Sequence, residues 1–244
     1  MHVRFAMLAL GLLMTAPGMV LGHSVLDPEA AQNLLNEIAR YRAAAGSEPK
    51  PEGRAEVWLN LGTRVQTLVG FLNQDANAHG MNQPLAQEII KRLAGSGVTV
   101  AWSERSQRYS YDLEAFQRCW KLAPSGLYAA ESRFQLLSAG FYSTLGMDPS
   151  KVGDEDVPAV ISAVAEEQRF LRDYPKEARA REVRFYLGVD CYRLSRHIPA
   201  PAQIDAYRKC AREELETVAL RYPDSIEGRA AAFLLEAGDH PAQR

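Results

Sequence analysis

In this sequence of 244 residues, four groups of side chains have the types from which chemistry could start. The densest is Asn73-Gln74-Asp75-Ala76-Asn77-Ala78-His79-Gly80. Asp75 and His79 are four apart, so on a helix they share a face. An acid beside an imidazole is the arrangement that orients a general base. No nucleophile stands near it in sequence, and no H-E-x-x-H metal motif occurs. The reading we favour is a helix C-terminus, with Gly80 as cap and His79 interacting favourably with the helix dipole. A ligand-contacting loop built from Asn73, Asp75 and His79 is the alternative. The second group is His23-Ser24. At a mature N-terminus its amine and imidazole would chelate Cu(II), but His79, His197 and His240 supply no supporting pattern. The third, Gly153-Asp154-Glu155-Asp156, lacks EF-hand spacing and reads as the acidic approach to a helix at Val157-Pro158. The fourth is Arg179, Arg181 and Arg184 on one helix, a solvated basic face or a candidate partner-binding edge for an acidic segment. None of the four amounts to a catalytic constellation. The expectation is a protein with no catalytic residues, no metal and no cofactor.

The N-terminus bears on where the chain works. His2 and Arg4 precede an apolar run, Phe5 to Met14, which has the size of a signal-peptide core and is too short to span a bilayer. Pro17-Gly18 breaks it, and Val20-Leu21-Gly22 offers a cleavage site before His23. Residues 1–22 therefore read as a signal peptide. A lipobox would need a cysteine after the cut, where His23 stands, so the expected product is a soluble exported chain in a bacterial periplasm. Without Arg4, 27 basic side chains face 30 acidic ones, and no long basic run argues for nucleic acid. No later stretch approaches transmembrane length.

The cysteines, Cys119, Cys191 and Cys210, all follow the signal, and an oxidising compartment would allow one disulfide. A helix ending near Ser195 and another starting near Pro201 would form an antiparallel hairpin centred near 200.5. Position 191 then faces 210, and a Cys191–Cys210 disulfide follows unless helix phase turns the sulfurs apart. Cys119 would be a buried thiol.

Positioning falls to helices nearly throughout. Asp27-Pro28 is an N-cap followed by proline at N1, opening a helix to about Ala45 with Ala31, Leu34, Leu35, Ile38 and Tyr41 on one face. Gly46 to Pro51 breaks the chain. A second helix, about Glu52 to Ala76, aligns Trp58, Leu61, Val65, Leu68 and Leu72. A third, about Pro84 to Leu93, ends at Gly95-Ser96-Gly97. In the stretch 98–111, Val98, Val100 and Trp102 alternate with small or polar residues, and Tyr109 and Tyr111 alternate again. That is a short β-hairpin or an extended connector, and the balance favours the connector, because a lone two-stranded hairpin is marginal.

From Asp112 onward the pattern repeats. Helices end at Pro124, Pro175 and Pro223, and each proline is followed ten residues later by Phe134, Phe185 or Phe233. Five residues past each proline stands a small residue: Ala129, Ala180, Gly228. Five before it stands a core type: Cys119, Phe170, Val218. Proline stops one helix and sets the turn, the small residue admits the next helix, and the aromatic fills the joint. Such units hide their apolar faces only by stacking. The alignment predicts deep burial of all three phenylalanines. The prolines are about 51 and about 48 residues apart, against about 34 for a tetratricopeptide repeat.

Phe170-Leu-Arg-Asp-Tyr-Pro175 and Ala219-Leu-Arg-Tyr-Pro223-Asp-Ser, each followed by a helix with small residues, resemble the F-x-x-x-Y-P-x-S-x-x-A units of bacterial envelope TPR-like proteins. These include the β-barrel assembly lipoprotein and the Tol–Pal-associated coiled-coil/TPR protein. The resemblance covers about Tyr111 to Ala237. Leu122-Ala123-Pro124 replaces Tyr-Pro in the first unit, and the lipidated cysteine is missing. The resemblance implies an all-α fold of stacked antiparallel hairpins, a TPR-like superhelix, and work in envelope assembly or maintenance.

The sequence thus divides into a signal (1–22), an N-terminal helical region (23–100) and TPR-like repeats (101–244). The expected function is a non-enzymatic scaffold whose helical surface receives a segment of a protein partner. An envelope hydrolase or small-ligand binder using the N-terminal region is the alternative. It requires the Asn73–His79 polar groups to converge with the aromatics of 102–111 around a pocket. Self-association through the ends of the stack also stays open.

Overall fold

The computed structural model describes residues 26–104, 106–145, 156–197 and 201–239. The signal segment, His23-Ser24 and Gly153–Glu155 lie outside them. The described chain is helical apart from one hairpin: α1 (Pro28–Ser47), α2 (Pro51–His79), α3 (Pro84–Gly95), β1 (Val100–Ser103), β2 (Arg108–Tyr111), α4 (Glu114–Leu122), α5 (Ala129–Leu145), α6 (Val157–Asp173), α7 (Ala180–His197), α8 (Pro201–Arg221) and α9 (Ile226–Asp239). None of these helices is long and apolar enough to cross a membrane.

Local chemistry sets the helix ends. Proline opens α1, α2, α3 and α8, where its missing N–H has no intrahelical partner to lose. Asp27 Oδ1 accepts from Glu29 N at 3.0 Å, capping α1. Helix α3 closes in a Schellman motif: Val98 N donates to Leu93 O and Gly97 N to Ala94 O, with Gly97 at φ +74°.

The chain forms two compact units, residues 20–136 and 137–244, with the division inside α5. In the first unit α2 is the axis. It packs against both α1 and α4, and β2 lies along it. The core comes from the helical stripes read in the sequence, with Leu35, Ile38, Leu61, Leu68, Leu72, Ile89 and Leu93 buried. Tyr109, Ala115 and Cys119 belong to the same core, which is why the hairpin and α4 group with the N-terminal helices.

The 98–111 stretch corrects the preference for a connector. It is an antiparallel hairpin with Val100 opposite Tyr111 and Trp102 opposite Tyr109. Two strands alone would be marginal, but these are fastened to α2. The buried Asn73 side chain donates from Nδ2 to Tyr109 O (3.1 Å) and accepts at Oδ1 from Tyr109 N (2.6 Å). The amide side chain thus stands in for a third strand.

In the second unit α7 packs against α6 and α8, and α9 packs on α8. The three proline turns are alike in hydrogen bonding. The residue before each proline donates back to the core residue four earlier: Ala123 to Cys119, Tyr174 to Phe170, Tyr222 to Val218. The residue two past the proline donates to the one before it: Gly126 to Ala123, Glu177 to Tyr174, Ser225 to Tyr222. Gly126 O and Glu177 O accept from Ala129 N and Ala180 N; in the third turn Ser225 Oγ accepts from Gly228 N at 2.9 Å. The small residue there is needed, since a Cβ on Gly228 would lie 1.9 Å from Tyr222 O.

Cys119, Phe170 and Val218 are all buried, as are Phe134 and Phe185. Phe233 is only half-buried, against the expectation for the third unit. It lies on α9, and among the described residues no helix follows to cover it.

Candidate functional site

The polar end of α2 does meet the hairpin aromatics. His79 Nδ1 lies 2.9 Å from Asp75 Oδ1, with the Asp75 side chain buried and that of His79 45% exposed. Gly80 caps the helix at φ +87°. The Tyr109 hydroxyl donates to Met81 O, and the Tyr109 ring meets Trp102 edge-on at 4.9 Å. Burial pushes the Tyr109 phenol up, and the charge of Asp75 adds to it. Asn73 spends its amide on the hairpin backbone, so of the three residues that the ligand-loop alternative would use it is a fastener. Asp75 and His79 form a part-buried pair at the helix end, with only the imidazole reaching solvent.

The arginine edge of α7 has its charges matched within the unit. Arg179 and Arg181 reach Glu182 at 3.1 and 3.6 Å. Arg181 also reaches Glu227 of α9 at 3.2 Å, and Arg184 reaches Glu214 of α8 at 2.8 Å. Arg181 and Arg184 thus tie α7 to α9 and α8 while staying part-exposed.

Cys191 and Cys210 sit side by side across α7 and α8, with Cα atoms 6.0 Å apart and sulfurs 2.11 Å apart, at bonding distance. Gly188, one turn earlier on α7, makes room for the approach: a Cβ there would lie 2.8 Å from Leu215 Cγ. Cys119 is a free, buried thiol, and burial raises its pKa.

A buried charged cluster in the second unit falls on none of the residues singled out from the sequence. Glu167 on α6 and Asp190 and Arg193 on α7 are each 1–2% exposed, in the heart of the second unit. Arg193 Nη1 donates to Asp190 Oδ1 at 2.6 Å, and the guanidinium lies 5.0 Å from the centroid of the Phe141 ring. Glu167 and Asp190 lie close enough for each to act on the other's ionisation. Phe141 in turn stacks on Tyr186 at 4.3 Å, whose hydroxyl lies 3.4 Å from Ser138 Oγ.

Burial, first, pushes both carboxyls up. For Glu167 the Asp190 charge raises it further, well above the carboxylate range. For Asp190 the adjacent guanidinium pulls the other way. Both carboxyls thus favour the protonated form, Glu167 the more so because Arg193 contacts Asp190 directly. Glu167 Oε2 is buried with no hydrogen-bond partner, a far smaller penalty for a neutral acid than for a carboxylate.

A sequence signal for this cluster existed. Val160, Val164, Glu167 and Leu171 follow one 3-4 stripe of α6. The acid stands where the periodicity asks for an apolar residue. Asp190 and Arg193 likewise interrupt the run from Phe185 to Leu194, three apart on one face.

In the first unit, a shallow depression of about 230 Å³ lies between the start of α2 and the α4–α5 turn. Glu52 and Glu56 edge it, and Leu127 stands beside them 86% exposed.

Comparison with protein-family models, with curated proteins and with solved structures returns no match for this chain.

Proposed function

We propose that the chain is a non-enzymatic scaffold of the bacterial periplasm, exported by residues 1–22 and built from TPR-like helical hairpins that receive a segment of a partner protein in envelope assembly or maintenance. The observation that carries this reading is the equivalence of the three proline turns. Hydrogen bonds recur at the same offsets from Pro124, Pro175 and Pro223, with the same core positions buried before them. Repetition of one hairpin is how chains build extended surfaces for other proteins. The polar groups that an enzymatic or ligand-binding reading would use are committed elsewhere: Asn73 to the hairpin, and Glu167, Asp190 and Arg193 to a buried core.

Affinity capture tests the reading. The chain without residues 1–22 is immobilised and exposed to envelope extract, beside a Phe185→Ala chain whose hairpin packing is damaged. A discrete partner retained by the first and lost by the second is the expected result. No enrichment over bare resin, or catalytic turnover of a cell-wall or ester substrate by the purified chain, would overturn it.

A further inference from the structure

The buried cluster places two acids and one base between α6 and α7. One proton must make up the difference, or the core holds an uncompensated negative charge. We propose that the α6–α7 hairpin is an acid-stabilised joint, held closed while Glu167 and Asp190 share a proton and forced to loosen when that proton leaves. The inference stands apart from the scaffold reading, since it depends only on the chemistry of these side chains.

Charged groups on the neighbouring elements are engaged with partners of their own. From α7, Asp190 and Arg193 are the charged groups that act on Glu167. From α5 come the Phe141 ring under Arg193 and the Tyr142 ring beside Tyr186, whose phenol is pushed far above the working range by burial and its neighbours. From α8 and α9, the acids facing α7 are Glu214 and Glu227, already paired with Arg184 and Arg181. On α6 itself, Glu166 and Arg169 pair with each other at 3.3 Å with part-exposed side chains. Asp156, also buried, is eleven residues from Glu167 along the chain, about 16 Å along a helix.

The sign follows from linkage. Glu167 holds its proton more tightly in the folded chain than in the unfolded one. The stabilisation is complete below the ordinary glutamate pKa, near pH 4.5, and is lost as pH rises toward the folded value. When Glu167 ionises, two adjacent carboxylates in a dry site face one guanidinium, and the least costly relief is separation of α6 from α7 to admit water. The joint therefore tightens as pH falls.

The test compares the whole chain with Glu167→Gln, whose amide mimics the protonated acid and cannot ionise. Thermal unfolding is followed by circular dichroism from pH 4 to pH 8. The two Tm values are expected to agree at pH 4 and to diverge as pH rises, with the variant higher by on the order of 4–8 °C at pH 8. Parallel curves, or a variant less stable at pH 8 by more than at pH 4, would overturn the proposal. Infrared spectroscopy of the unmodified chain in D2O at pH 7 gives a second reading that needs no variant to fold. A carboxylic-acid C=O band that vanishes on unfolding in urea is expected. Its absence from the folded chain would refute the shared proton.

Discussion

At the scale of single residues, packing decides which of several similar side chains matter. Phe185 and Phe233 occupy equivalent positions, yet one is buried and the other only half-buried. Phe185→Ala should cost on the order of 3–5 kcal/mol, and Phe233→Ala clearly less, measured by urea denaturation of each variant. Gly228→Ala puts a methyl group against the Tyr222 carbonyl. Since that contact is with backbone, the α8–α9 turn must shift, and a loss of about 1–3 kcal/mol is expected in the same assay. Asn73→Ala leaves the N–H and C=O of Tyr109 unpaired in a buried place. A loss of about 1–3 kcal/mol, with fast hydrogen exchange at Tyr109, would identify this amide as the hairpin's fastener; unchanged exchange would deny it that role.

At the scale of elements, the joint between α7 and α8 has the most cross-ties. The cysteine pair, the Arg184–Glu214 ion pair and the Gly188–Leu215 approach all act there. A link between residues 19 apart restricts the unfolded chain by about 3 kcal/mol in the loop-entropy picture. Reductant, or Cys191→Ala, should therefore lower the unfolding temperature of this unit. Thiol titration in denaturant without reductant should find one free thiol, that of Cys119; three would mean that the pair is not joined. In the native chain, the buried Cys119 thiol should resist iodoacetamide until the first unit unfolds, because neither access nor thiolate is available.

At the scale of the whole molecule, the two compact units should respond separately to perturbations placed inside one of them. The cysteine pair and the acid–arginine cluster belong to the second unit, and the Asn73 clamp to the first. Calorimetry with and without reductant should move the transition of residues 137–244 and leave that of 20–136 in place. A single transition shifting as one would show that the units unfold together.

Periodicity and punctuation were legible from the chain alone because they are local. Proline at helix starts, the Gly97 cap and the 3-4 stripes each depend on neighbours within a few residues, so α6 and α8 begin and end where the pattern says. The proline-centred repeat was equally readable, as was the mirror relation of Cys191 and Cys210 across a short loop. What the chain could not express is what one element does for another at long range. The hairpin exists because a side chain 36 residues away completes its hydrogen bonds. The hairpin and α4 join the first unit because α2 offers them a surface. Glu167 and Asp190 are 23 positions apart in sequence, and although each interrupts an apolar stripe, only when α6 lies on α7, with water excluded between them, do their charges become each other's problem.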